Sequence, residues 1–163
     1  MNTEVSRCDV VRLSPQMVRS REDFGRLYIE YLREFSVACD FVAHAPLLAQ
    51  LIAERWVDGF YAKRQGMGAG FCIYSRTYSA IAVSPAYQIS DLFVDGPLRR
   101  AGTGNALMQA VVTQARAENV RRIYVQTDSD SDARTGFYAQ CGFVDAAANL
   151  LKMVVRDAHR QPA

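Results

Sequence analysis

Apolar residues recur at Phe24, Leu27, Tyr28, Tyr31, Leu32 and Phe35, a 3.6-residue period that predicts an amphipathic helix. Ser20 stands where an N-cap belongs, with Glu22 and Asp23 in the first turn, where the helix dipole favours negative charge. Asp9 to Leu13 reads as a strand ended by Ser14-Pro15, and a second helical pattern runs from Pro46 through Leu47, Leu48, Leu51 and Ile52 to Trp56. Gly59 to Gly70 reads as turn or short strand. Ala69 to Tyr74 and Ala86 to Val94 read as strands joined by a connection centred on Ser84-Pro85. Further on, Leu107, Ala110, Val111 and Ala115 mark a buried helix face, residues 121 to 127 a strand, and residues from 131 a helix with Ala133, Phe137 and Cys141 inward. Leu150 to Arg156 reads as a closing strand, and residues 157–163 as a disordered tail.

No repeat or linker divides the pattern, so the expectation is one domain over residues 1–163, long enough to bury a substantial core. Net charge is +2, from 19 basic and 17 acidic residues, which advertises neither nucleic acid nor a membrane surface as partner. Arg12, Arg19, Arg21 and Arg26 read as a solvated face. Cys8, Cys39, Cys72 and Cys141 show no Cys-x-x-Cys spacing, and only His44 and His159 could join them. No metal site is expected, and reduced thiols fit a cytoplasmic protein. The N-terminal residues lack an apolar targeting core, and no run reaches membrane-spanning length.

The stretch from Asp91 to Leu107 is the most informative: an apolar strand runs into an arginine- and glycine-rich turn that opens a helix. Gly102 and Gly104 remove side chains where a phosphate would approach, and the helix start presents unpaired N–H groups at its positive end. Arg99 and Arg100 add positive charge. Asn105-Ala106 follows the last glycine where a nucleoside triphosphate loop needs Lys-Ser/Thr, and Leu107 stands where a dinucleotide fingerprint needs a small residue. What remains, Arg99-x-x-Gly102-x-Gly104 after a strand, resembles the acetyl-CoA signature of the GNAT superfamily of N-acetyltransferases. Ala133 to Phe143 resembles that family's next motif, a short helix carrying Tyr138 four residues before Gly142-Phe143. The resemblance is clear over residues 86 to 143.

The resemblance implies an α/β (α+β) GNAT fold: a mixed, mainly antiparallel sheet with helices on both faces, opening as a V between strands that end near Val94 and Gln126. It implies acetyl-CoA as cofactor, with its pyrophosphate over Arg100, Ala101, Gly102, Thr103, Gly104 and Asn105, and its pantetheine arm along Leu92, Phe93 and Val94. Ser131 and Arg134 stand where the family carries Asn and a small residue, and both are expected at the cofactor. Tyr138 is expected to be the general acid, since Ser131, Arg134 and Tyr138 share the side of their helix away from the core. Strand alternation puts Ile89, Asp91 and Phe93 on one face and Gln88, Ser90, Leu92 and Val94 on the other. Asp91 among apolar neighbours is then either structurally paired or a base with a raised pKa.

Ile89-Ser90-Asp91 resembles the branch acting on polyamines and other small amines, with Ser90 where some members carry Glu. Residues Arg99 to Gly142 also look like aminoglycoside 3-N-acetyltransferases. Both point to a small polycationic amine, with Asp128, Asp130 and Asp132 as recruiting acids. These acids can equally be solubilising residues that cap the next helix. Protein or peptide amine acetylation and a non-catalytic acyl-CoA sensor are the alternatives. A homodimer is compatible with the resemblance.

Overall fold

The computed structural model describes residues 8–38, 40–80, 83–127 and 132–144, without the side chains of 79 and 132–135. The chain divides into two units, Met1–Ser129 and Asp130–Ala163.

The first unit is built on a five-stranded sheet in the order β1 (Cys8–Arg12), β2 (Val57–Arg64), β3 (Met67–Ser79), β4 (Ser84–Val94), β5 (Arg122–Val125). The first four strands are antiparallel neighbours, and β4 pairs with β5 in parallel. This is the mixed, mainly antiparallel sheet of the GNAT expectation. β2 falls in the stretch read as turn or short strand. Residues 58–62 of β2 are all buried, so they lack the alternation that marks a half-buried strand. β4 begins at Ser84, so the expected connection at Ser84-Pro85 lies inside the strand.

Helices cover both faces. Ser14 caps α1 (Pro15–Val18) through its side chain, so the expected stop at Ser14-Pro15 is a helix start, with proline at the position where a missing N–H costs nothing. The next helix opens as a wide turn over Arg21–Gly25, with no side-chain cap from Ser20, and continues as α2 (Arg26–Glu34). α3 (Phe41–Ala53) starts before the expected Pro46, because the Asp40 carboxylate accepts from the Ala43 N–H and caps it. Trp56 lies beyond its end and is exposed.

Phe24, Leu27, Phe41, Ala49, Phe71 and Phe93 belong to one core between these helices and the sheet. Each such aromatic side chain contributes about 2–3 kcal/mol by burial. α4 (Thr103–Ala117) uses Leu107, Met108, Val111 and Ala115 as its buried face. It packs on β1 to β4, on the face where Glu118 reaches Arg76 and Tyr87. Among the described residues, no helix is long and apolar enough to cross a membrane.

In the second unit α5 (Asp132–Gln140) ends at Gly142, whose φ of +91° suits glycine. The Phe143 N–H donates to the Tyr138 carbonyl and the Gly142 N–H to that of Ala139, both at 2.9 Å. This pair closes a left-handed C-cap, and its usual apolar contact is present as the Tyr138 and Phe143 rings 5.4 Å apart. The expected closing strand at 150–156 and the tail lie outside the described residues.

Candidate active site

The site begins with one extra residue in β4. Ile73 pairs with Asp91 and Tyr74 with Ile89, so Ser90 has no partner on β3 and forms a bulge. The bulge resets the alternation, which corrects the expected face assignment. Asp91 and Phe93 share the face of Ile73 and Phe71, whereas Ile89 lies with Tyr74 on the other. β5 pairs only with Ala86 to Ile89. From Ser90 to Val94, therefore, β4 has no partner on that side among the described residues. This is where the resemblance puts the V-shaped opening, along Leu92, Phe93 and Val94.

At the start of the open stretch, Asp91 accepts a 2.6 Å hydrogen bond from the Tyr31 hydroxyl of α2. Desolvation raises the Asp91 carboxyl above its ordinary range, and the Tyr31 bond pulls it partly back. Asp91 and Ser90 line a cavity of about 430 Å³ together with Tyr28, Tyr31 and Leu32 of α2, Phe35 just after it, and Leu48 and Leu51 of α3. The volume is within the range of about 300–1,000 Å³ common for small-ligand clefts. Periodicity marked Tyr31 only as a core position, because a shared apolar face does not show where a hydroxyl ends.

The turn after β4 leads into α4. Gly102 is the N-cap with φ +83°, and no side chain caps the helix. The first bond of the turn runs from the Ala106 N–H to the Gly102 carbonyl. The first-turn N–H groups of Thr103 and Gly104 therefore lie ahead of the helix's own bonds. Ala101 and Asn105 are exposed beside them. Thr103 is buried, and its hydroxyl accepts from Arg64 Nε at 2.9 Å. Arg64 also donates to the Ala101 carbonyl.

Arg64 was missed in the sequence, where it reads as a charged residue before a Gln65-Gly66 turn and carries no motif. Arg100 is exposed with φ +60°. Arg99 turns away from the cradle: its Nε donates to the Val94 carbonyl at 2.9 Å, and its guanidinium pairs with Glu34. The positive charge expected from Arg99 is thus neutralised at the end of β4, and Arg64 stands at the helix start instead.

In the second unit, Tyr138 is half-buried and its ring packs edge-on against Phe137 at 5.1 Å and Phe143. Burial raises the Cys141 thiol. Asp128, Asp130 and Ser131 lie outside the described residues, as do the side chains of Asp132 and Arg134.

Away from the cavity, Arg76 bridges Asp58 and Glu118, and Arg12 also pairs with Asp58. The Arg76 guanidinium holds the Glu118 carboxyl down at about 2, and burial with the Glu118 contact pushes the Tyr87 hydroxyl up to about 12. These groups join β1 to β4 with the end of α4, a structural task.

The chain matches the acetyltransferase (GNAT) family over residues 23–143. A solved probable acetyltransferase superposes with a TM-score of 0.81 at 17% identity, covering 91% of this chain and 99% of that one. The ribosomal-protein-alanine N-acetyltransferase of Brucella melitensis biovar Abortus 2308 gives 0.74 at 19%, covering 93% and 100%. An aminoglycoside acetyltransferase from an uncultured soil metagenomic sample, in complex with trehalose, gives 0.74 at 18%, covering 91% and 97%. At these identities the likeness is one of fold.

Proposed function

The chain belongs to the acetyltransferase (GNAT) family, whose members generally use acetyl-CoA, and we propose that it moves an acetyl group from acetyl-CoA to a primary amine by direct attack. The position of Asp91 carries this reading. It opens the unpaired stretch of β4 and lines the cavity beside it, so one residue borders both the expected cofactor edge and a space for an acceptor.

The donors at the start of α4 fit a pyrophosphate. The positive end of a helix favours an anion, and the Arg64 guanidinium adds its charge there through Thr103 and the Ala101 carbonyl. Residues 100–105 would hold the pyrophosphate, the open edge at Leu92, Phe93 and Val94 the pantetheine amides, and Ser131 and Arg134 further parts of the cofactor. When bound, acetyl-CoA supplies an activated thioester carbonyl.

Asp91 accepts the amine proton, directly or through one water, as the new C–N bond forms and the C–S bond breaks. Tyr138 gives its hydroxyl proton to the departing sulfur. A thiol raised by burial is a poor nucleophile, which argues against an acyl-enzyme on Cys141.

The acceptor is proposed as a small-molecule amine in the cytoplasm, and a homodimer is compatible with this. The polycation reading rests on Asp128, Asp130 and Asp132, whereas among the described residues Asp91 is the carboxylate that lines the cavity. Titration calorimetry with acetyl-CoA tests the proposal, alongside an assay of CoA thiol release across a panel of amines. The native chain should bind, and Gly102→Val, strained at φ +83°, should lose binding while keeping its circular dichroism. Tyr138→Phe should bind as the native chain does yet turn over about 10- to 1,000-fold more slowly. A native chain that ignores acetyl-CoA would overturn the reading.

A further inference from the structure

The cavity beside Asp91 has one polar end. Ser90 and Asp91 on the β4 bulge form it, and the rest of the lining among the described residues is aromatic or aliphatic. At this end the Tyr31 hydroxyl is engaged by Asp91, so the Tyr31 ring offers its carbon surface. That ring is held edge-on by Phe35, Phe71 and Phe93 at centroid distances of 5.1, 5.5 and 5.8 Å. The wall is therefore pre-formed, and little ordering opposes binding. Phe35 and Val37 at the rim are 44% and 46% exposed, which continues the apolar surface outward.

We propose that the acceptor is a primary monoamine on an apolar, aromatic-sized body, its ammonium at Asp91 and its body among Tyr28, Tyr31, Phe35 and Leu51. This rests on the acetyltransferase reading and gives its substrate class. One carboxylate neutralises one ammonium. A second ammonium in the same cavity would lose its water against hydrocarbon with no counter-charge among the described lining residues, and this disfavours spermidine-like and aminoglycoside acceptors. An aromatic body instead gains edge-to-face contacts with the α2 rings. The transfer is unchanged: the amine proton goes to Asp91 and the thiolate takes one from Tyr138.

The test compares phenylethylamine with spermidine and kanamycin on the full chain, by CoA thiol release and by calorimetry of each amine in the presence of CoA. Phenylethylamine should show a kcat/KM at least about tenfold above either polycation, the scale that apolar pocket contacts supply. Leu51→Trp, which fills the cavity, should raise the KM for phenylethylamine about tenfold with acetyl-CoA affinity unchanged. Val37→Asp, at an exposed position that no core packing depends on, should shift the preference toward spermidine. Acetylation of spermidine or kanamycin in preference to phenylethylamine, or no binding of phenylethylamine to the CoA-loaded chain, would overturn this proposal and leave the acetyltransferase reading intact. Loss of acetyl-CoA binding by the native chain would overturn both.

Discussion

The Tyr31 hydroxyl of α2 donates to Asp91 Oδ1 of β4 at 2.6 Å, tying the helix that walls the cavity to the strand that opens beside it. The bond favours the ionised carboxylate, against the desolvation that raises its pKa. Tyr31→Phe removes the lowering contribution and leaves the burial. The Asp91 pKa should rise, so the acid limb of kcat/KM against pH should move upward, by about one unit for one charge-assisted hydrogen bond. An unmoved acid limb in the Tyr31→Phe profile would mean that Asp91 is not the group titrating.

Asp91 should also lower stability at neutral pH. Its folded carboxyl binds a proton more tightly than the unfolded one. The cost of the buried charge is therefore absent below the ordinary 3.8 and grows as pH rises through the raised folded value. Asp91→Asn should be more stable than the native chain by about 1 kcal/mol at pH 7. The advantage should vanish on acidification, in urea denaturation at a series of pH values. A pH-independent difference would contradict the desolvation argument.

Arg64 joins the end of β2 to the start of α4 through Thr103 and the Ala101 carbonyl. Arg64→Gln keeps a donor and removes the charge. Acetyl-CoA affinity should fall by about 10- to 100-fold, the worth of a charge-assisted phosphate contact, and its salt dependence should flatten. Dephospho- and unmodified CoA should weaken alike if the contact is with the pyrophosphate. Unchanged affinity would reduce Arg64 to a brace of the turn.

Glu118 carries the opposite pH signature to Asp91. Arg76 and Tyr87 hold its carboxyl at about 2, below the ordinary 4.5, so its contribution is present above 4.5 and is lost as pH falls toward 2. Glu118→Gln should lose about 1 kcal/mol at pH 7, allowing for solvent screening of a partly exposed pair. Native and variant melting temperatures should converge in acid.

The elements whose apolar residues follow a single period were legible in the sequence, namely α2, α4 and the segment of α5 around Phe137. The turn into α4 was legible because Gly102, Gly104 and a helix start leave a local pattern. β2 was not, since Asp58 to Ala62 are buried without alternation. The face of Asp91 could be read only with Ile89 displaced by the Ser90 bulge, and a bulge is set by pairing with β3 rather than by the strand's own residues. Arg64 and Tyr31 reach the site across the fold, from positions 39 and 60 residues away from their partners, so no local spacing could reveal them. Arg99 stood in the motif, yet Glu34 of a distant helix draws it aside.

In the proposed reaction Asp91 takes the amine proton beside a cofactor held elsewhere on the same strand and at the α4 turn. Asp91→Asn, assayed by CoA thiol release with phenylethylamine and by calorimetry with acetyl-CoA, tests it most directly. The expected result is a kcat loss of about 100- to 10,000-fold, the range for a general base, with acetyl-CoA affinity unchanged. Turnover retained in the Asn variant would contradict it.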